Sequence, residues 1–250
     1  MTKIIALLAA LLLVGGCQTT IDTPKKFPVG SIYKNYIHAG KKQIPLPPGN
    51  WEVFASKNFY NDDQTPFAAL ILGNTDRDAP ALTVRILSNL EIGSLADGYV
   101  LWRYCSRTNM HHAYDRDSVS GGDQACWFVN HSRMTRPNYR GSNYLVAGLR
   151  RAKELGVKLP VTAITAGFRF ANQYDLLNVR IYFNPEAEGF SPPKQSAWAT
   201  NDWHKDRIYT DQKKVAYVEK VKKWAEAFFP KVEAGFNGKL GAARAAAVKK

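Results

Sequence analysis

Around residue 180 the chain alternates with a period of two. Leu177, Val179, Ile181 and Phe183 point one way, while Arg180 and Tyr182 point the other. A helix, with its repeat of about 3.6 residues, cannot collect those four apolar side chains on one face, whereas an extended strand does so automatically. Such a strand must sit in a sheet, and its apolar face requires a cover from another layer. The surrounding stretch VTAITAGFRFANQYDLLNVRIYFNPE reads as two strands around a turn at residues 172–175.

Similar signals recur upstream. In NWEVFAS, Trp51, Val53 and Ala55 alternate with Glu52, Phe54 and Ser56. PFAALILGN is a short apolar run that ends in a turn, and ALTVRILSNL places Leu82, Val84 and Ile86 opposite Thr83, Arg85 and Leu87. These three runs, with turns between them, predict an antiparallel meander. QACWFVNHSRM is a further strand, with Cys126, Phe128 and Asn130 on one side and Trp127, Val129 and His131 on the other. Two segments carry helical spacing instead. SNYLVAGLRRAKELGV has Ser142 as an N-cap, a stripe of Leu145, Val146, Leu149 and Ala152, and a stop at Gly156. Residues 211–229 put Tyr217, Val218, Val221, Trp224, Ala225 and Phe228 on one face, with Pro230 interrupting the run. Helices do not alternate regularly with strands, which argues against a parallel doubly wound sheet. With 250 residues, 45% of them hydrophobic, the expectation is a single α+β domain: an antiparallel sheet with two helices packed on one face.

The N-terminus carries a different kind of information. Lys3 precedes an unbroken apolar run over residues 4–14, too short to span a bilayer as a helix, and Val14-Gly15-Gly16-Cys17 follows. This resembles the signal peptide and lipobox of bacterial lipoproteins. The resemblance covers about the first twenty residues. It implies cleavage before Cys17, a diacylglycerol on its thiol, usually a further acyl chain such as palmitate on the new amine, and a hold on the bilayer firmer than one chain gives. Gln18 at the following position, where Asp would favour the inner membrane, implies the outer membrane and a domain facing the periplasm. The organisation expected is then a signal peptide over residues 1–16, a lipidated tether over 17–42, the α+β domain over 43–240, and a basic Ala-rich tail over 241–250. The body of the chain, in IPLPPGNWEV and KKWAEAFFPKVEAGFNGKL, resembles only uncharacterised secreted proteobacterial proteins, and no functional residue is carried over from them.

Export decides how the remaining cysteines are read. Once Cys17 is acylated, Cys105 and Cys126 form an even pair in an oxidising compartment, where a disulfide is the expected outcome. The other reading is a metal site using His111 or His112, but neither HExxH nor paired CxxC spacing occurs. No metal and no cofactor are expected. The formal charge of +13, about +12 without Lys3, favours anionic partners. Nucleic acid is not among them beyond the inner membrane, which leaves lipopolysaccharide, phospholipid or peptidoglycan.

Three groups of residues are candidates for a site. Arg103, Arg107 and Arg133, with Arg136 and Arg140, lie in or beside the loop between the two cysteines and can gather into a basic patch that grips phosphate or carboxylate. Trp198, Trp203 and His204 lie in SAWATNDWHKDRIY, where tryptophans beside polar residues can stack on sugar rings. The opposite reading is that those aromatics clamp a long connection to the core. Finally, His111, His112, Asp115 and Ser120 offer a nucleophile and bases for an envelope hydrolase acting on glycan, peptide or ester substrates, although no G-x-S-x-G accompanies them. The leading expectation is a non-enzymatic binding or accessory module of the cell envelope.

Overall fold

The computed structural model describes residues 27–76, 81–92, 97–134 and 143–240. Cys17, Arg136, Arg140, the Ser142 cap and the tail of residues 241–250 lie outside them. The elements are β1 (Ile32–Tyr33), β2 (Tyr36–Ala39), β3 (Lys42–Pro45), β4 (Trp51–Tyr60), β5 (Pro66–Asn74), β6 (Ala81–Asn89), α1 (Arg103–Ser106), β7 (His112–Asp115), β8 (Gln124–Arg133), α2 (Asn143–Glu154), β9 (Thr162–Ala171), β10 (Leu176–Phe183) and α3 (Gln212–Phe236). Eight strands form one antiparallel sheet in the order β1-β4-β5-β6-β10-β9-β8-β7, and β2 and β3 form a separate hairpin. The chain is thus an α+β fold on a large antiparallel sheet. The meander expected from the first three runs is β4-β5-β6.

The two long helices, expected together on one face, lie on opposite faces. The face bearing Leu70, Leu72, Val84, Ile86, Trp127, Val129, Phe168, Val179 and Ile181 packs under α3 and holds the main core. Ile71 of β5, with Phe54 and Ala55 of β4 at a bulge in their pairing, packs against α2 through Leu145 and Ala152 on the other face. The reason lies in β5. Its interior residues are buried on both faces, so it needs covering on each side, as near-continuous apolar runs do.

The helix α3 runs through Pro230 to Phe236. Proline removes one backbone hydrogen bond, but Val232 and Phe236 continue the buried stripe. Gly235 lets this last turn approach β3 so closely that a Cβ there would lie 2.0 Å from the Gln43 carbonyl oxygen. Asp211 caps the other end, accepting from the backbone N–H of Lys213 and Lys214 at 3.1 and 3.3 Å.

The folded part begins earlier than expected. Phe27, Ile37, Ala39 and Lys42 are buried, so residues 27–42 belong to the domain and not to a tether. Pro, Lys and Gly in that stretch hide short strands whose apolar positions are too few to show a period. Residues Arg103–Ser106 form the short helix α1. The Cys105–Cys126 disulfide, with Cα atoms 5.9 Å apart, fastens α1 to β8. That bond consumes the two thiols a metal site would have used. Among the described residues no helix is long and apolar enough to cross a membrane.

Candidate functional site

The face opposite α3 is only partly covered. α2 occupies one side, α1 and the segment around Trp198 the other, and between them lies a cavity of about 850 Å³. Its floor follows from the strand register. Ile71 on β5 stands beside Arg85 on β6, Arg85 beside Arg180 on β10, Arg180 beside Gly167 on β9, and Gly167 beside Phe128 on β8. These five positions form one row across the sheet. Gly167 has a steric role, since a Cβ there would lie 2.2 Å from the Phe128 ring. The bare backbone lets that ring lie flat toward the centre of the sheet.

Phe128 supports the rest of the aromatic wall. Tyr104 stacks on it with centroids 5.3 Å apart. The Arg180 guanidinium lies 4.5 Å from the Tyr104 ring and 5.1 Å from the Trp102 ring, and Arg107 covers Tyr104 at 4.9 Å. Arg85 donates to the hydroxyls of Tyr182 and Tyr144, both at 3.3 Å. Arg107 and Arg133 complete a set of four arginines lining the cavity, and no aspartate or glutamate is among the described residues that line it. Like charges on directly opposed strand positions, whose Cβ atoms sit about 5 Å apart, are unfavourable. The Arg85–Arg180 pair therefore bears a cost that an anion would relieve. In the neighbouring row Arg169, 4% exposed, donates to Gln124, Asn178 and the Val100 carbonyl at 2.7, 3.3 and 2.6 Å. Burial lowers its pKa to about 10, against a smaller raising effect of Tyr99. It stays cationic at neutral pH beneath the same face.

His131 lines the cavity and has two further histidines beside it. His131 stacks on Trp198 with centroids 5.1 Å apart and lies 6.0 Å from His111 and 5.5 Å from His204. Its Nε2–H donates to the Trp198 carbonyl at 3.0 Å, and that of His111 to the Trp203 carbonyl at 2.8 Å. Burial pushes both rings down to about 4, with further lowering from neighbouring histidines. These are neutral structural rings that hold the 198–208 segment against β8. Among the described residues no group of three His, Cys, Asp or Glu side chains is placed to hold a metal ion.

The structure sorts the residues singled out from the sequence. Arg107, Arg133 and Trp198 meet at the cavity. Arg103 is exposed on α1 and does not line it. Trp203, one of the two candidate stacking rings, is 1% exposed and packs against Phe190 and Tyr217 in the main core, as the clamp reading has it. His204, expected beside it at a surface, is 7% exposed and packs edge-on against Trp198. The hydrolase set does not assemble. His111 is taken by the Trp203 carbonyl, His112 pairs with Glu219 of α3 at 2.8 Å, Asp115 is exposed on β7, and Ser120 is exposed in the turn before β8. Arg85, Arg180, Tyr104 and Tyr182 are the site residues the sequence reading passed over. For Arg85, Arg180 and Tyr182 the signal was an arginine or tyrosine at the polar positions of strands flanked by strongly apolar ones, and Tyr104 on α1 had none.

Fold and site together define an α+β protein with an arginine-lined cavity on the second face of its sheet. No family model, curated protein or solved structure matches the chain.

Proposed function

We propose that this protein is a non-enzymatic binding module of the bacterial cell envelope, anchored in the outer membrane through acylated Cys17 and facing the periplasm, which captures an anionic envelope component in its cavity. The observation that carries this reading is the charge of the site: four arginines and no carboxylate among the described lining residues, two of the arginines neighbours on adjacent strands. Charged side chains on a structural surface are normally interspersed in sign. Here the floor is cationic, held by aromatic rings, and recessed from solvent, where a charge-assisted hydrogen bond is strongest. Lipopolysaccharide, phospholipid and peptidoglycan all present anions of the required kind.

Two measurements test the reading. The aromatic sulfonate 1-anilinonaphthalene-8-sulfonate combines an anion with apolar rings. It is expected to bind the full chain carrying Cys17→Ala one-to-one with a rise in fluorescence. The Arg85→Gln/Arg180→Gln double variant should lose at least about tenfold in affinity, corresponding to about 1.4 kcal/mol, while melting no lower than the parent. Equal affinity in the two chains would remove the cavity from consideration. For the anchor, the native chain is expected in the detergent phase on phase separation and the Cys17→Ala chain in the aqueous phase. Identical partitioning, with no loss of acyl mass from the N-terminal peptide, refutes lipidation at Cys17.

A further inference from the structure

The cavity changes character across the sheet. On the α2 side its walls are Phe54, Ile71, Leu145, Leu149 and Ala152, all hydrocarbon. In the middle of the row stand Arg85 and Arg180, followed on the far side by Phe128 and the Tyr104 ring stacked on it. Above the arginines, in the adjoining row, Thr83 pairs in register with Tyr182. Thr83 is 4% exposed, lines the cavity, and its hydroxyl has no hydrogen-bond partner among the described residues. The Tyr182 hydroxyl accepts from Arg85, which leaves its own hydrogen to donate. Two guanidiniums on neighbouring strands and two hydroxyl donors thus line one cavity beside an apolar lane.

Resting on the anion-binding reading above, we infer that the cavity is a receptor for a single-chain phosphate-bearing amphiphile, its phosphate bridging Arg85 and Arg180 and its hydrocarbon chain lying under α2 against Phe54, Ile71 and Leu149. A phosphate monoester carries a charge of about −1.5 to −2 at neutral pH and three terminal oxygens. It matches two planar guanidinium forks better than a carboxylate does, with two oxygens and a single charge. The volume of about 850 Å³ is far more than a bare phosphate fills and falls within the range of about 300–1,000 Å³ common for organic ligands. The apolar lane supplies the remainder, worth about fourfold in affinity for each methylene buried.

Titration calorimetry on the full chain with Cys17→Ala tests this, using dodecyl phosphate, dodecanoate, dodecyltrimethylammonium and inorganic phosphate, each below its micelle-forming concentration. Dodecyl phosphate is expected to bind one-to-one, at least about tenfold tighter than dodecanoate, with no saturable binding of dodecyltrimethylammonium. Arg85→Gln/Arg180→Gln should weaken dodecyl phosphate by about a hundredfold or more. Leu149→Trp, which fills the apolar lane, should weaken dodecyl phosphate and leave inorganic phosphate unchanged. Dodecanoate binding as tightly as dodecyl phosphate overturns the phosphate head. Inorganic phosphate binding as tightly as dodecyl phosphate, with Leu149→Trp silent, overturns the chain while the anion site stands. Failure of every anion, the naphthalene sulfonate included, removes both readings.

Discussion

Replacing Asp175 with alanine is expected to lower the stability of the domain by about 3–5 kcal/mol, the usual cost of leaving one member of a buried ion pair alone. Lys42 is 1% exposed, and its ammonium lies 2.9 Å from Asp175 Oδ1 and 3.1 Å from the Asn89 carbonyl. Lys41 reaches the other carboxylate oxygen at 2.8 Å. Burial alone would raise the Asp175 pKa, but the hydrogen bonds from Lys41 and Lys42 outweigh it and hold the carboxyl below its ordinary range. Lys42 is itself pushed down by burial. The pair ties three distant pieces together: the start of β3, the end of β6 and the turn between β9 and β10. Removing the carboxylate strands a cation with a single carbonyl for company. Lys42→Met/Asp175→Asn, which removes both charges at similar volume, should lose less than Asp175→Ala alone. Lys41→Ala, at an exposed position, should cost under about 1 kcal/mol. Urea midpoints at constant slope measure all three. A double variant less stable than the single one would show that the pair itself, and not the stranded charge, carries the energy.

Acid is expected to unfold the domain in two separable stages, the first set by His111 and His131. Each is buried neutral with a pKa of about 4, against 6.5 in an unfolded chain. Below pH 6.5 the unfolded state takes up protons that the native state refuses, so stability falls as pH drops from about 6.5 to about 4 and then levels off for these groups. A shift of about 2.5 units is worth roughly 3 kcal/mol for one histidine. Asp175, whose carboxyl is likewise held below its ordinary value, acts in the same direction but lower down. Its contribution is present at neutral pH and is lost only below its ordinary value of 3.8. Unfolding free energies measured from pH 7 to pH 3 should therefore show a slope already between about pH 6.5 and 5, above the ordinary carboxylate range. His131→Gln should shrink that slope by about half. An unchanged slope in that variant would locate the acid sensitivity elsewhere.

How much of this was legible in the sequence depended on whether a local period existed. The β10 alternation and the buried face of α3 were readable because one side of each faces the core and the other does not. The cysteine pairing followed from the number of thiols and the expected compartment. What could not be read was the lateral order of the strands. Arg85 and Arg180 sit on β6 and β10, far apart in the chain, and become neighbours only through the register that joins those strands. The cavity floor is a row across the sheet, and a sequence displays only columns along it. Trp203 left two readings open for another reason. Its polar neighbours suggested a surface, but the Asn201 side chain is 1% exposed, donates to Thr162 Oγ1 at 2.8 Å and accepts from the Trp203 N–H at 2.9 Å. Satisfied polar groups can be carried into a core, and composition does not record whether they are satisfied.

The early start of the fold has a consequence for where such a receptor would fish. With Phe27 already in the core, the stretch from Cys17 is ten residues long (27 − 17). At about 3.5 Å per residue its full extension is about 35 Å. A domain of this length has a diameter on the order of 40 Å. An acylated Cys17 would therefore hold the cavity on a leash no longer than the domain is wide. Its catchment would be the adjoining leaflet, and a cargo arriving from the inner membrane would have to be brought to it.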